Sequence, residues 1–180
     1  MQEEQEFINN LLSSKTQNQA FQQLLQDYQR PLYNHIRNIV INHDDTDDVL
    51  QNTFIKIFQN LKNFKGDSKL FSWMYRIATN EALTFLKQKS KINTISSEIL
   101  QNKTIDNLEA DVYFDGNEIQ IKLQKAIVLL PEKQQLVFKM KYFEELKYEE
   151  ISAILGTTVG GLKASYHIAV KKIEAFLSTN

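Results

Sequence analysis

The chain has 180 residues, 42% of them hydrophobic, with a formal net charge of −1, five Gly, two Pro and no Cys. This length and apolar share suit one ordinary domain or two small ones and exclude wholesale disorder, while the missing Cys excludes disulfides and thiolate metal sites. The acidic start "MQEEQEFINNLL" lacks the basic and apolar parts of a secretory signal, and no apolar run is long enough to span a bilayer, so a cytoplasmic protein without membrane insertion is expected.

So little Gly and Pro, without sustained apolar–polar alternation, predicts long helices. Over 6–40, Phe21, Leu24, Leu25, Tyr28, Leu32 and Ile36 recur at three- and four-residue steps, with Pro31 expected at a helix start or a kink. "NHDDTDD" interrupts this pattern and offers an N-cap and early acids to the next helix, "DDVLQNTFIKIFQNL". There Val49, Leu50, Phe54, Ile57, Phe58 and Leu61 form an apolar stripe. "NFKGDSKLFSWMYRIATN" follows, with a loop over 62–68 and a helix from about Lys69 to Lys89. Trp73 and Ile77, with Phe71 or Met74, fall on the apolar face of that helix and read as core.

Charge is unevenly spread. Residues 1–90 hold ten basic and ten acidic side chains, 91–118 hold two against six, and 119–180 hold nine against six. A neutral lobe, an acidic connector and a basic lobe predict two small helical domains, 1–90 and 119–180, joined by a flexible linker at 91–118 in an all-α fold. Beyond Glu118 the helical period returns. Leu123, Ile127, Leu130, Leu136, Phe138 and Phe143 fit two helices broken at Pro131, a residue suited to a first helical turn.

"YEEISAILGTTVGGLKASYHIAVKKIEAFL" is the most informative stretch. Ile151, Ile154 and Leu155 make the inner face of a short helix, and Gly156 stands where a left-handed residue ends it. Val159 plugs the turn, small Ser152 permits close crossing, and Leu162, Tyr166, Ala169 and Ile173 line a second helix. This is a helix-turn-helix pattern, whose second helix enters a DNA major groove. Its outer face carries Gly160, Lys163, Ala164, His167 and Lys171, and Thr157 and Thr158 can bond phosphates. An ordinary helical hairpin with a Gly cap has the same spacing, and the lysines favour DNA.

Together, "DDTDDVLQNTFIKIFQNLKNFKGDSKLFSWMYRIATNEALTFLK" and "LPEKQQLVFKMKYFEELKYEEISAILGTTVGGLKASYHIAVKKI" resemble regions 2 and 4 of bacterial sigma factors of the extracytoplasmic-function (ECF) group. The resemblance covers roughly 20–90 and 120–177, in the right order. It implies a non-enzymatic protein that binds core RNA polymerase and directs it to promoters, with region 2 melting and reading the minus-ten element and region 4 binding the minus-thirty-five element. By resemblance, Phe64, Lys65, Gly66, Asp67, Ser68 and Lys69 cradle a flipped base, while Tyr75, Arg76 and Asn80 meet neighbouring bases and phosphates. Asp47, Asp48, Gln51, Asn52, Thr53, Phe54 and Ile55 match the segment that grips the clamp helices of the largest polymerase subunit. Region 4 implies contact with the flap of the second-largest subunit, and many members are held inactive by an anti-sigma factor.

Two departures stand out. Region 2 ends in "TFLKQKSK", less basic than usual, with Thr84 where Asp is common. The recognition helix has Ala164, Ile168 and Val170 at positions often basic or polar. Fewer cations imply weak DNA binding by the free protein, and Ala164 and Ile168 suit thymine methyls, so an AT-rich upstream element is expected. An alternative is a stand-alone helix-turn-helix regulator with an N-terminal helical sensor or dimerisation domain. A helical adaptor is a second. An enzyme fits least: His35, His43 and His167 form no metal-ligand pair, the "NHDDTDD" run lacks the Gly and closing Glu of a calcium loop, and no phosphate-cradling Gly loop occurs. No metal or cofactor is expected.

Overall fold

The computed structural model describes residues 2–92 and 118–179, and among these every regular element is helical. The order is α1 (Gln2–Leu12), α2 (Gln17–Val40), α3 (His43–Asn60), a 3-10 turn (Leu61–Asn63), α4 (Leu70–Ile92), α5 (Glu118–Val128), α6 (Glu132–Tyr142), α7 (Tyr148–Leu155) and α8 (Val159–Thr179). The chain divides into two compact units, Met1–Phe85 and Leu86–Asn180. Of the expected linker, residues 93–117 lie outside the described residues.

In the first unit α2 packs against α1 and α3. Leu11, Leu24, Leu32, Ile36, Ile57, Leu61 and Met74 are fully buried. The helical period explains this: Leu24, Leu32, Ile36 and Ile39 share one face of α2. α2 runs through Pro31 instead of starting there. Pro31 removes one backbone bond, to the carbonyl of Asp27, and both residues are exposed, where an unmade bond costs least. Ile41 ends α2 in a left-handed conformation, φ 68°. Asn42 then caps α3, its Oδ1 accepting the Asp45 N–H at 3.0 Å, and Asp44 and Asp45 occupy the first turn. The start of α4 is secured from far along the chain, since the Leu70 N–H donates to Glu4 Oε1 at 3.2 Å.

In the second unit α8 packs against α5, α6 and α7. Ala126, Ile127, Leu130, Phe138, Ala169 and Ile173 form its core. Pro131 precedes the first turn of α6 as its N-cap. Gln135 Nε2 closes the end of α5 by donating to the Val128 and Leu130 carbonyls, at 3.0 and 2.8 Å. α6 is buried through five consecutive residues, Leu136 to Met140, and Lys139 is among them. α7 ends at Gly156, φ 63°, as its spacing predicts. A Cβ added there meets nothing within 4 Å, so a Gly156→Ala substitution carries only the left-handed strain. It should cost about 1 kcal/mol, read as a lower thermal midpoint with unchanged helix content.

Candidate nucleic-acid interface

Three surfaces carry the side chains singled out above. The first is the N-terminal half of α3. Asp47, Asp48, Gln51, Asn52 and Ile55 are exposed and Phe54 is half-buried. Asp47, Asp48, Gln51 and Phe54 border a groove of about 400 Å³ that Leu25 and Gln29 of α2 complete. Thr53 is different. It is fully buried and its hydroxyl donates to the Val49 carbonyl at 2.7 Å, so it is removed from the gripping face. Phe58, expected in the buried stripe, is 42% exposed and meets Phe21 edge-on at 5.0 Å.

The second surface is the loop before α4 and the helix face behind it. Lys65, Gly66, Asp67 and Lys69 are exposed and Ser68 is half-buried. Gly66 has φ 77° with nothing within 4 Å of its would-be Cβ, so glycine serves the turn there and not a close contact. Arg76 and Asn80 are exposed on α4.

Phe64 and Tyr75 differ from the expectation, because both are core. Phe64 is 9% exposed. The 3-10 turn fixes it, its N–H bonding to the Leu61 carbonyl at 3.1 Å, and its ring lies 5.3 Å from Trp73. Tyr75 is 5% exposed, between Phe71 at 4.1 Å and His35 at 4.6 Å. His35 is itself fully buried. The Thr79 hydroxyl donates to the Tyr75 carbonyl at 2.7 Å, so its oxygen accepts from His35 Nε2–H at 2.9 Å. A hydroxyl has one hydrogen, so with that hydrogen on the Tyr75 carbonyl it is His35 Nε2 that donates.

Trp73, expected in the core, is half-buried. It lines a cavity of about 310 Å³ together with Ile77, Asn60, Asn63, Asn80, Lys56 and Glu81. Lys56 and Glu81 form an ion pair at its rim. Of these lining residues, only Asn80 is among the site residues expected from the sequence. For Asn60 and Asn63 the sequence signal was the amide-rich run "FQNLKNF", which crosses from the end of α3 into the 3-10 turn.

The third surface is the outer face of α8 with the turn before it. Thr158, Gly160, Lys163, Ala164, His167, Ile168 and Lys171 are exposed and Thr157 is half-buried, all on the side away from Leu162, Ala169 and Ile173. Thr158 Oγ1 accepts the Gly161 N–H at 3.3 Å, which leaves its hydroxyl hydrogen for an outside acceptor. Gly161 was missed by sequence reasoning. A Cβ there would lie 3.3 Å from Thr158 Oγ1, so its smallness protects the cap.

Among the described residues no cluster of three or more His, Cys, Asp or Glu is placed to hold a metal ion, and no helix is long and apolar enough to cross a membrane.

Residues 24–92 match the family described as sigma-70 region 2, and residues 120–173 match that described as sigma-70, region 4. The chain is also 30% identical over 168 residues to the RNA polymerase sigma-H factor of Pseudomonas aeruginosa, covering 88% of this chain and 86% of that protein. The chain belongs to the sigma-70 family of sigma factors. This sigma factor is 27% identical over 157 residues to the ECF RNA polymerase sigma factor SigW of Bacillus subtilis, covering 82% and 83% of the two chains. It is 29% identical over 170 residues to the ECF RNA polymerase sigma-E factor of Escherichia coli, covering 89% and 87%. Its fold is shared with CnrH, solved in complex with the cytosolic domain of CnrY, at a TM-score of 0.66 and 20% identity over 97% of both chains. It is shared also with the sigma factor RpoE of Bartonella quintana, solved with the anti-sigma factor NepR, at a TM-score of 0.65 and 18% identity over 89% of this chain and 98% of that one.

Proposed function

We propose that this sigma factor binds core RNA polymerase through the α3 face and carries it to promoters, acting without catalysis of its own. The first unit, the domain expected over 1–90, melts and reads the minus-ten element. The helix-turn-helix, in the domain expected over 119–180, reads the minus-thirty-five element as duplex and also meets the flap of the second-largest subunit. The protein acts where the polymerase is, in the cytoplasm. Since both solved neighbours are complexes, one of them with a named anti-sigma factor, an inhibitory protein partner belongs to the proposal.

One observation carries the reading of melted DNA: the cavity walled by Trp73 and Ile77 and edged by the amides of Asn60, Asn63 and Asn80. An aromatic wall suits the flat face of an extruded base, and amides offer a donor and an acceptor to its edge. Exposed Lys65 and Lys69 on the adjoining loop suit the strand's phosphates. Trp73 takes the aromatic role that the resemblance gave to Phe64, whose ring lies 5.3 Å away.

The experiment uses holoenzyme on promoters with a pre-melted minus-ten segment, each non-template base varied in turn. Asn80→Ala should relax selectivity at one position by about tenfold, the scale of one lost base-edge contact, with core binding unchanged. Equal selectivity in the two proteins would remove the cavity from the mechanism.

A further inference from the structure

Lys163 lies in the first turns of α8, on the exposed face assigned above to the upstream element. A lysine on a flexible stem loses rotamer freedom when it is fixed on a phosphate or base, so any contact that holds it beforehand favours binding. Here its Nζ lies 5.7 Å from the centroid of the Tyr148 ring. Lys141 Nζ lies 5.3 Å from the same centroid. Both are within the range in which a ring's negative face attracts an ammonium.

Tyr148 is itself well placed to hold a neighbour still. It opens α7 and is half-buried. Its ring meets Tyr166 edge-on at 6.4 Å, and Tyr166 stacks on core Phe138 at 5.8 Å. Lys141 is tethered separately, its Nζ donating to the Leu146 carbonyl at 3.1 Å. Of the two, only Lys163 is exposed, so it is the ammonium at this ring that a duplex can reach.

We propose that Tyr148 is a positioning residue for DNA recognition: it ties Lys163 to the aromatic ladder of the second unit and presents that ammonium to the upstream duplex. The inference rests on the reading of α8 given above. It adds a residue of the first helix of the pair to a surface built from the second, through its ring and not its hydroxyl.

The test measures affinity for a labelled duplex carrying the upstream element, recovered by selection from a randomised library, with the full chain bound to core polymerase. The proteins are wild type, Tyr148→Phe, Tyr148→Leu, Lys163→Ala and the double variant Y148L/K163A. Tyr148→Phe keeps the ring and should match wild type. Tyr148→Leu should bind about two- to fivefold more weakly, as loss of an exposed cation–ring contact predicts. Lys163→Ala should weaken binding at least as much and lower the salt slope by about one. The double variant should bind no more weakly than Lys163→Ala alone. If the two losses multiply in the double variant, or Tyr148→Leu binds like wild type, Tyr148 does not act through Lys163 and the proposal is overturned. If Lys163→Ala alone changes neither affinity nor slope, the reading of α8 fails, and the proposal fails with it.

Discussion

Replacing Lys139 with Met should stabilise the second unit by about 1–3 kcal/mol at neutral pH. Lys139 is 4% exposed and sits in the middle of α6 between apolar neighbours. Burial pushes its ammonium from 10.5 down to about 8, and nearby Glu144 offsets only part of this. The charged form is therefore disfavoured by up to about 3 kcal/mol in the folded state. The sign follows from proton uptake. Between pH 8 and 10.5 the unfolded chain holds a proton on Lys139 that the folded chain has lost, so stability rises with pH across that window. Below about pH 8 the penalty is present in full. Met keeps the length and the apolar stem without the charge. Hydrogen exchange at the α6 amides of the full chain should slow in Lys139→Met at pH 7, and the gap from wild type should narrow by pH 10. A less protected Met variant would mean that the ammonium makes a contact worth more than its burial costs.

Placing a carboxylate at Ile55 should weaken binding to core polymerase by about thirtyfold or more without loss of fold. Ile55 is 48% exposed on α3 and outside the buried core, so Ile55→Asp should leave the fold intact, with thermal unfolding within about 1 kcal/mol of wild type. In the proposed complex the same side chain becomes the apolar centre of a polar interface ringed by Asp47, Asp48, Gln51 and Asn52. An apolar anchor at such a centre is worth about 2 kcal/mol or more, and a buried unpaired carboxylate adds to the loss. Asp48→Asn at the rim should act more weakly and mainly at low salt, as a screened charge does. A titration of labelled core polymerase at two ionic strengths separates the two effects. Equal affinity for Ile55→Asp and wild type would move the polymerase contact off α3.

Much of the fold was legible because its signals are periodic. Ile151, Ile154, Gly156, Leu162, Ala169 and Ile173 specify the paired helices of the second unit, and all five apolar members are buried. Tyr75 was readable in principle, since it lies three and seven residues before buried Ala78 and Ala82, a spacing that keeps it on their face. The family resemblance placed it among the base-contacting residues instead. Phe64 had no such signal, because a one-turn 3-10 segment shows no period. Lys139 was invisible for the opposite reason: α6 is buried on all sides over Leu136 to Met140, so no polar face marks where a charge belongs. The cavity beside Trp73 draws Asn60 from the end of α3, Asn63 from the 3-10 turn and Asn80 from α4, a convergence that only the packing of these elements reveals.

The most direct test of the account mixes the purified full chain with bacterial core RNA polymerase, follows co-elution, and scores run-off transcription from a library of promoter fragments. The account predicts co-elution and new initiation that depends on sequence, with an AT-rich element upstream of the start. Specific duplex binding by the chain alone, without association with core polymerase, would contradict it.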